Sequence, residues 1–336
     1  MSDRVLAKLT DGNDLSSAES EKVMAAIADG EFSPVKSAAF LTALALKGET
    51  PEEVAGCIQA FRKRAVKVPH HQETVFDCCG TGGDCSGSFN ISTAAAFVVA
   101  ACGIPTAKHG NRSVTSQCGS ADVLEQLGVR VQLSPESAAR CLDEIGICFL
   151  YAPSFHPAMK NIAPIRRELG FRTVFNLLGP LLNPAGATHQ IIGTPSISVA
   201  ESLSQAATCL ESGKVWFLHN SCGLDELAPF GMNMILSSNG HGPGWSVLGN
   251  HSSKELDTSC LKGGPAEQNA EIIRRMFDGE QSPKRLAVEL NAAAGLTLVG
   301  AATDFEAAVP IASEAIESGK ARDKMNALIE LTGKLT

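Results

Sequence analysis

The sequence predicts an α/β protein: a large domain with a mostly parallel sheet flanked by helices, joined to a small all-helical domain. Three observations carry this expectation. The first 65 residues are helical text with a cap signal at each helix start that can be read. From residue 74 onward short apolar strands alternate with helices, the grammar of a parallel sheet covered on both faces. Between the first strand and its helix lies DCCGTGGDCSGSFNIST (77–93), and KHGNRS (108–113) closes the next strand. Strand, glycine-rich loop and helix together form an architecture for holding an anion.

The elements follow in order. Ser16, with Glu19 three residues on, forms a capping box ahead of Val23, Met24 and Ile27, and Gly30 ends that helix. Ser33 and Pro34 open the next, with Pro34 at its first helical position, and Gly48 stops it after Phe40, Leu41 and Leu44. Thr50-Pro51-Glu52-Glu53 repeats the capping logic before Val54, Ile58 and Phe61. The basic run RKRAVKVPHH (62–71) reads as a solvated helix end leading into a linker, since cations suit helix C-termini.

The alternation then begins. ETVFD is a strand ending at Asp77, residues 92–102 a helix closed by Gly103, and IPTAKH a second strand edge. SADVLEQLG is a helix with Ser120 as N-cap and Gly128 beyond its end; VRVQL (129–133) is a strand by its alternation. SPESAARCLDEIG is a helix capped by Ser134 with Pro135 first, and ICFLYAP a strand. Helical text interrupted by Pro164 fills 157–178, and ATHQIIG, KVWFLHN and GWSVLG supply later strands. The chain from about 265 to its end reads as helices. This divides it into a small helical domain, 1–70, joined by about 166–184, and a large α/β domain of 74–165 and 185–336.

Composition narrows the function class. The apolar fraction of 44% is that of a globular protein, and a net charge of -8 opposes a nucleic-acid footprint. The eleven cysteines are scattered without a CxxC pair, which reads as small buried hydrophobes in a reducing compartment. The N-terminus lacks the pattern of a signal peptide, and no 18-residue apolar run offers a membrane span, so the expected location is cytoplasmic.

Several segments carry the chemistry. In GTGGD (80–84) glycines let consecutive N–H groups converge on phosphate oxygens, and Asp84 suits a ligand bearing hydroxyls or a divalent ion. A tight solvent-facing turn is the competing reading. Ser88, Asn90, Ser92 and Thr93 cluster where a helix begins, more donors than one cap requires. Lys108 offers a point charge for phosphate and Arg112 a planar fork, while His109 is either a proton carrier or a packing residue. His156, Lys160, Arg166 and Arg167 gather in HPAMKNIAPIRRELG, whose default reading is surface charge. Asp225 and Glu226, after a strand, either solvate a turn or supply hard oxygen ligands for Mg2+ held largely by substrate phosphates. The chemistry suggested is transfer at a phosphate-rich substrate.

In their order, GTGGD, SFNIST, KHGNRS, GSADVLEQLG, NIAPIRRELGFRTVFNLLGPLLNPA and GLDE resemble the anthranilate phosphoribosyltransferase family over nearly the whole chain. The resemblance implies a homodimer joined through the helical domains, a hinge, and an active site in the cleft. The implied reaction converts anthranilate and 5-phosphoribosyl 1-diphosphate into N-(5-phosphoribosyl)anthranilate and diphosphate, the second step of tryptophan biosynthesis from chorismate. Catalysis would rest on Lys108, Asp225 and Glu226. The phosphoribosyl diphosphate would meet Gly80, Gly83, Asp84, Ser88, Asn90, Ile91, Ser92 and Thr93 on the first loop. Beyond the second strand it would meet Lys108, His109, Gly110, Asn111, Arg112, Ser113, Val114, Thr115, Ser116 and Ser120. Anthranilate would lie against Gly80, Asn111 and Arg166, with His109 and His156 on its entry path, and Ser92, Asp225 and Glu226 would hold two Mg2+ ions. Departures from the family pattern are Cys85 for glycine, Ser88 for threonine, Gln117 for a cation, HNSC before GLDE, and Leu286 where aspartate is common. Two alternatives stand beside this reading. One is a pyrimidine nucleoside phosphorylase, whose phosphate loop usually reads KHS; the other is a non-catalytic nucleic-acid-binding relative. No nucleic-acid or membrane partner is expected.

Overall fold

In the computed structural model, residues 2–113, 117–238, 245–248 and 255–335 are described. Four helices come first: α1 (Ser2–Thr10), α2 (Ser17–Ala28), α3 (Pro34–Lys47) and α4 (Pro51–Arg62). Both capping boxes form, at Ser16 with Glu19 and at Thr50 with Glu53, and Ser33 accepts from Lys36 N–H. The helix α1 was not foreseen; its Lys8 pairs with Glu19 at 2.8 Å. Glu53 does more than cap. Fully buried, it also accepts from Leu15 N at 2.9 Å and from Lys47 Nζ at 3.0 Å, so one carboxylate ties three segments together.

The large part continues with β1 (Phe76–Gly80), α5 (Ile91–Ala101), β2 (Thr106–Gly110), α6 (Ser120–Leu127), α7 (Pro135–Ile145) and β3 (Ile147–Tyr151). Short helices α8 (Ala152–Phe155), α9 (Ala163–Leu169) and α10 (Phe175–Leu178) lead to β4 (His189–Gly193), α11 (Ile197–Cys209), β5 (Lys214–Asn220), β6 (Asn233–Ser237) and β7 (Trp245–Val247). Helices α12 (Ala266–Phe277), α13 (Pro283–Val299), α14 (Phe305–Glu317) and α15 (Lys320–Lys334) complete it.

The sheet order is β3-β2-β1-β4-β5-β6-β7, parallel from β3 to β5 and antiparallel beyond. Alternate residues serve opposite faces: Ile191 and Leu218 join the core under α5, α13 and α15, while Ile192 and Phe217 join the core shared with α4 and α11. The helical domain is thus packed onto one face of the sheet.

Four local expectations change. VRVQL pairs with no strand among the described residues: Val129, Val131 and Leu133 are buried, while Arg130 turns its N–H and guanidinium to Thr332 Oγ1 and Leu335 O, near the end of α15. Ser120 is the first helical residue, not the cap; Gly119 takes that place and Ser120 Oγ donates to Asn111 O. Pro164 lies in the first turn of α9 rather than interrupting a helix, because a missing N–H costs nothing there. The basic run at 62–71 is not simply solvated. Arg62 is largely buried, donating to Leu181 O at 2.8 Å and Ser212 Oγ at 3.0 Å; Arg64 pairs with Asp29 and Lys63 with Glu21.

Candidate active site

The sheet changes winding direction between β1 and β4, and ligands in open α/β sheets gather at the C-terminal ends of strands at such a point. Here β1 ends in Gly80 and β4 in Gly193, and the loop after β5 brings Asp225 across both. Neither position has room for a side chain. A Cβ at Gly80 would lie 2.4 Å from Asp225 Oδ2, and one at Gly193 would lie 1.7 Å from Asp225 O. The glycine that the loop motif offered to a phosphate therefore also admits a carboxylate.

Around it the expected residues converge. Ser92, in the first turn of α5, donates its N–H to Glu226 Oε1 at 3.1 Å. Lys108, buried on β2, reaches Cys78 O at 2.6 Å and Ser92 Oγ at 3.3 Å. Asp84 lies beside Asp225. Burial, then Asp84 and Glu226, push the Asp225 carboxyl well above the usual range. Burial also raises Glu226, opposed by Lys108 and the Ser92 N–H. Asp84 Oδ2 is buried without a hydrogen-bond partner. Three crowded carboxyls with an unused oxygen suit a divalent cation. Among the described residues no three His, Cys, Asp or Glu side chains are arranged to hold an ion by themselves.

The other residues expected at the donor site lie along the glycine loop, the start of α5 and the end of β2. Asn90 is the N-cap of α5 without capping it; its amide donates to Cys118 O and accepts from Asn269 Nδ2 at 3.0 Å. Ser88 bridges to Lys262, and Gly263 N–H donates to Gly87 O at 2.9 Å, which straps the glycine loop from the far side. Ile91 and Thr93 are buried in the helix start, with Gly83 and Gly110 at the loop and strand ends. Asn111 O receives both Ser120 Oγ and Ala121 N–H. Arg112 turns away, with Nη1 2.6 Å and Nη2 2.8 Å from the carboxylate of Glu125 and with Asp122 at 3.1 Å. Ser113 N–H also donates to Asp122. Val114, Thr115 and Ser116 lie outside the described residues.

Of the residues expected against anthranilate, Arg166 is half-buried on α9 with its guanidinium 5.1 Å from the Phe175 ring; its neighbour Arg167 is exposed. Desolvation lowers the Arg166 pKa, and among the described residues it has no carboxylate partner. His109 and His156 stack edge to face at 5.1 Å. Burial holds both neutral, pushing His109 down to about 3 and His156 to about 4, and His109 Nε2 and both His156 nitrogens lack partners.

Sequence reasoning missed three residues here. Asp77 and Asn183 form a buried polar cluster under Lys108, and Arg172 lies over the glycine loop, 3.4 Å from Gly82 O and 3.5 Å from Gly83 O. Only Asp77 carried a signal, a carboxylate closing the strand run ETVFD.

Known proteins resemble the chain throughout. Residues 72–322 match the family described as "Glycosyl transferase family, a/b domain" and residues 3–65 its "helical bundle domain". An anthranilate phosphoribosyltransferase of Anaeromyxobacter dehalogenans is 46% identical, with 99% of each chain covered. That of Myxococcus xanthus is 44% identical, with 97% of each covered. Among solved structures, the Thermus thermophilus enzyme superposes with a TM-score of 0.90 at 39% identity, over 98% of this chain and 99% of that one. The Saccharomyces cerevisiae enzyme in complex with PRPP and Mg gives 0.91 at 26% identity, over 98% and 97%.

Proposed function

We infer the roles at this site from one premise: the chain belongs to the anthranilate phosphoribosyltransferase family and transfers the 5-phosphoribosyl group to anthranilate, the tryptophan-pathway step. The observation that carries the assignment is the convergence of Asp225, Glu226, Ser92 and Lys108 on the end of the glycine loop at the switch point. We assign the diphosphate to the N–H groups of the glycine loop and the α5 start, with Lys108 as the cation beside its leaving oxygens. Arg166 takes the anthranilate carboxylate and aims the amine at C1 of the ribose, opposite the departing diphosphate. The aryl amine keeps its lone pair at neutral pH, so it needs no activation before attack. His109 and His156, held neutral, line the approach without adding charge.

Mg2+ is placed at Ser92, Asp225 and Glu226, two ions per chain, with Asp84 beside them; when bound it neutralises charge on the diphosphate. The carboxyl crowding and the Mg in the yeast relative's structure support this reading.

Three wider assignments accompany it. The 166–184 segment is grouped with the helical domain, supported by the edge-to-face contact of Phe175 with Phe61 and the Arg62 bond to Leu181 O. A homodimer is assigned to the outer face of α3, where Val35 is 79% and Leu46 84% exposed eleven residues apart on one side. The protein is placed in the cytoplasm, a reading supported by eleven free thiols; no described helix is long and apolar enough to cross a membrane.

The test of the site is direct. Protein, anthranilate, phosphoribosyl diphosphate and Mg2+ are mixed and anthranilate fluorescence followed. Turnover should stop with excess chelator and return with Mg2+; turnover indifferent to chelator would refute the metal assignment.

A further inference from the structure

The strands β1 and β2 are neighbours that barely pair. Their register holds only at Phe76 and Thr106, whereas β1 pairs with β4 and β2 with β3 along their full lengths. Beyond that single pair, side chains occupy the seam. His109 N–H, which a ladder would direct to a carbonyl, donates instead to Asp77 Oδ1 at 3.1 Å. Cys78 O accepts the Lys108 ammonium at 2.6 Å. Asn183 bridges the gap from outside, its amide donating to Asp77 Oδ2 and to Ala107 O, both at 2.8 Å. Gln190 approaches the same Asp77 oxygen at 3.4 Å.

Lys108 is therefore bracketed. The carbonyl before it, at Ala107, and the N–H after it, at His109, are both fastened to the Asp77–Asn183 pair. Asp77 is fully buried and Lys108 is 4% exposed, so their charges act on each other in a poorly screened interior although they are not in direct contact. Burial pushes the Asp77 carboxyl up, and the nearby Lys108 charge is the first influence pulling it back. Every hydrogen bond to the carboxylate from nitrogen comes from a donor that points inward. Asn183 cannot reverse its amide, because its own Oδ1 accepts from Ala185 N–H at 2.9 Å. The site is built for a group that only accepts, an ionised carboxylate.

We propose that Asp77 is a positioning residue for phosphoribosyl transfer: it holds the β1–β2 seam open and sets the place of Lys108 against the diphosphate. The proposal rests on the assignment of Lys108 to that ligand. Asp77 itself touches no substrate in this scheme; it acts through Lys108.

The experiment is a double-mutant cycle of Asp77→Asn and Lys108→Met, with kinetics for each substrate and a thermal melt of each variant. Asp77→Asn keeps the shape but sets an amide N–H2 against a donor whichever way it turns. It is expected to lower kcat/KM for phosphoribosyl diphosphate by roughly 30-fold while the KM for anthranilate stays within about twofold. In the Lys108→Met background the same change is expected to cost less than about threefold, because the group it positions is gone. A purely structural Asp77 would lose the same factor in both backgrounds, or raise both KM values, and either result overturns the proposal while leaving the Lys108 assignment intact. Full activity in Lys108→Met would instead overturn that assignment, and the proposal with it. Should Asp77→Asn not fold, Asn183→Ala replaces it in the cycle. It withdraws the bonds to Asp77 Oδ2 and Ala107 O and keeps the charge, and its loss must likewise vanish without Lys108; a loss that persists overturns the proposal.

Discussion

Replacing Arg166 by alanine separates the acceptor-site assignment from a merely structural one. In the free protein the guanidinium is half-buried over Phe175, partly desolvated, and without a carboxylate partner among the described residues. If its only role were that stack, its loss would cost about 0.5–1 kcal/mol of stability and leave both KM values unchanged. If it receives the anthranilate carboxylate, truncation removes a charge-assisted pair worth about 2–5 kcal/mol, since the substrate's charge is then left uncompensated in a partly dry site. At about 1.4 kcal/mol per factor of ten, the low end is a loss of roughly 30-fold in kcat/KM for anthranilate. Phosphoribosyl diphosphate should be far less affected, because the glycine loop and Lys108 hold it. Arg166→Lys should recover only part of the loss, as an ammonium keeps the charge but not the planar fork. The assay is steady-state fluorescence at saturating Mg2+, varying each substrate in turn. Equal losses for both substrates, or none for anthranilate, would refute the reasoning.

Four further outcomes are expected. Alanine at both Asp225 and Glu226 should remove most turnover with the fold intact, whereas Asp225→Asn alone should raise the melting temperature of the metal-free protein at pH 8. Its folded-state pKa lies above the unfolded value, so the native state binds more protons and loses stability as pH rises between the two; an amide escapes this, and a lower melting temperature would contradict it. The histidine pair should act in the opposite direction on pH. Folded pKa values of about 3 and 4 mean that stability falls as pH drops from about 6.5, where the unfolded rings charge, so His109→Gln with His156→Leu should flatten the decline between pH 7 and 5; an unchanged slope would count against buried neutral rings. Cys85 sits at φ 55°, a left-handed conformation that costs a side chain about 1 kcal/mol, so Cys85→Gly should raise the urea midpoint, and a fall would show that the thiol is held by something further.

The parts of this molecule legible in the sequence were those determined locally. Ser16, Ser33, Thr50 and Ser134 announce helix starts because a cap is a contact within four residues. The glycine loop and the Asp225-Glu226 pair were legible because they follow strands, and Lys108 because it stands in the short run KHGNRS. What was hidden depends on partners distant along the chain. VRVQL has the alternation of a strand and lacks only a neighbour to pair with; its alternation records one buried face, which packing beside α15 satisfies equally well. Ser120 has the chemistry of a cap but is drawn to Asn111 O, leaving Gly119 in its place.

Asp77 shows how such a residue could be found. Its partners, His109, Asn183 and Gln190, lie 32, 106 and 113 residues further along the chain, so no local pattern marks them. The carboxylate itself stood in plain view at the end of an apolar run, and the structure sets it inside β1, where burying a charge is unfavourable unless donors and a cation surround it. With Gln190 on β4 reaching the same carboxylate, a buried acid near a buried lysine already implies a seam held apart by side chains. That seam lies at the end of the sheet where the diphosphate is assigned. A strand pair opened by a buried charge thus becomes a reason to seek the ligand there before any motif is consulted.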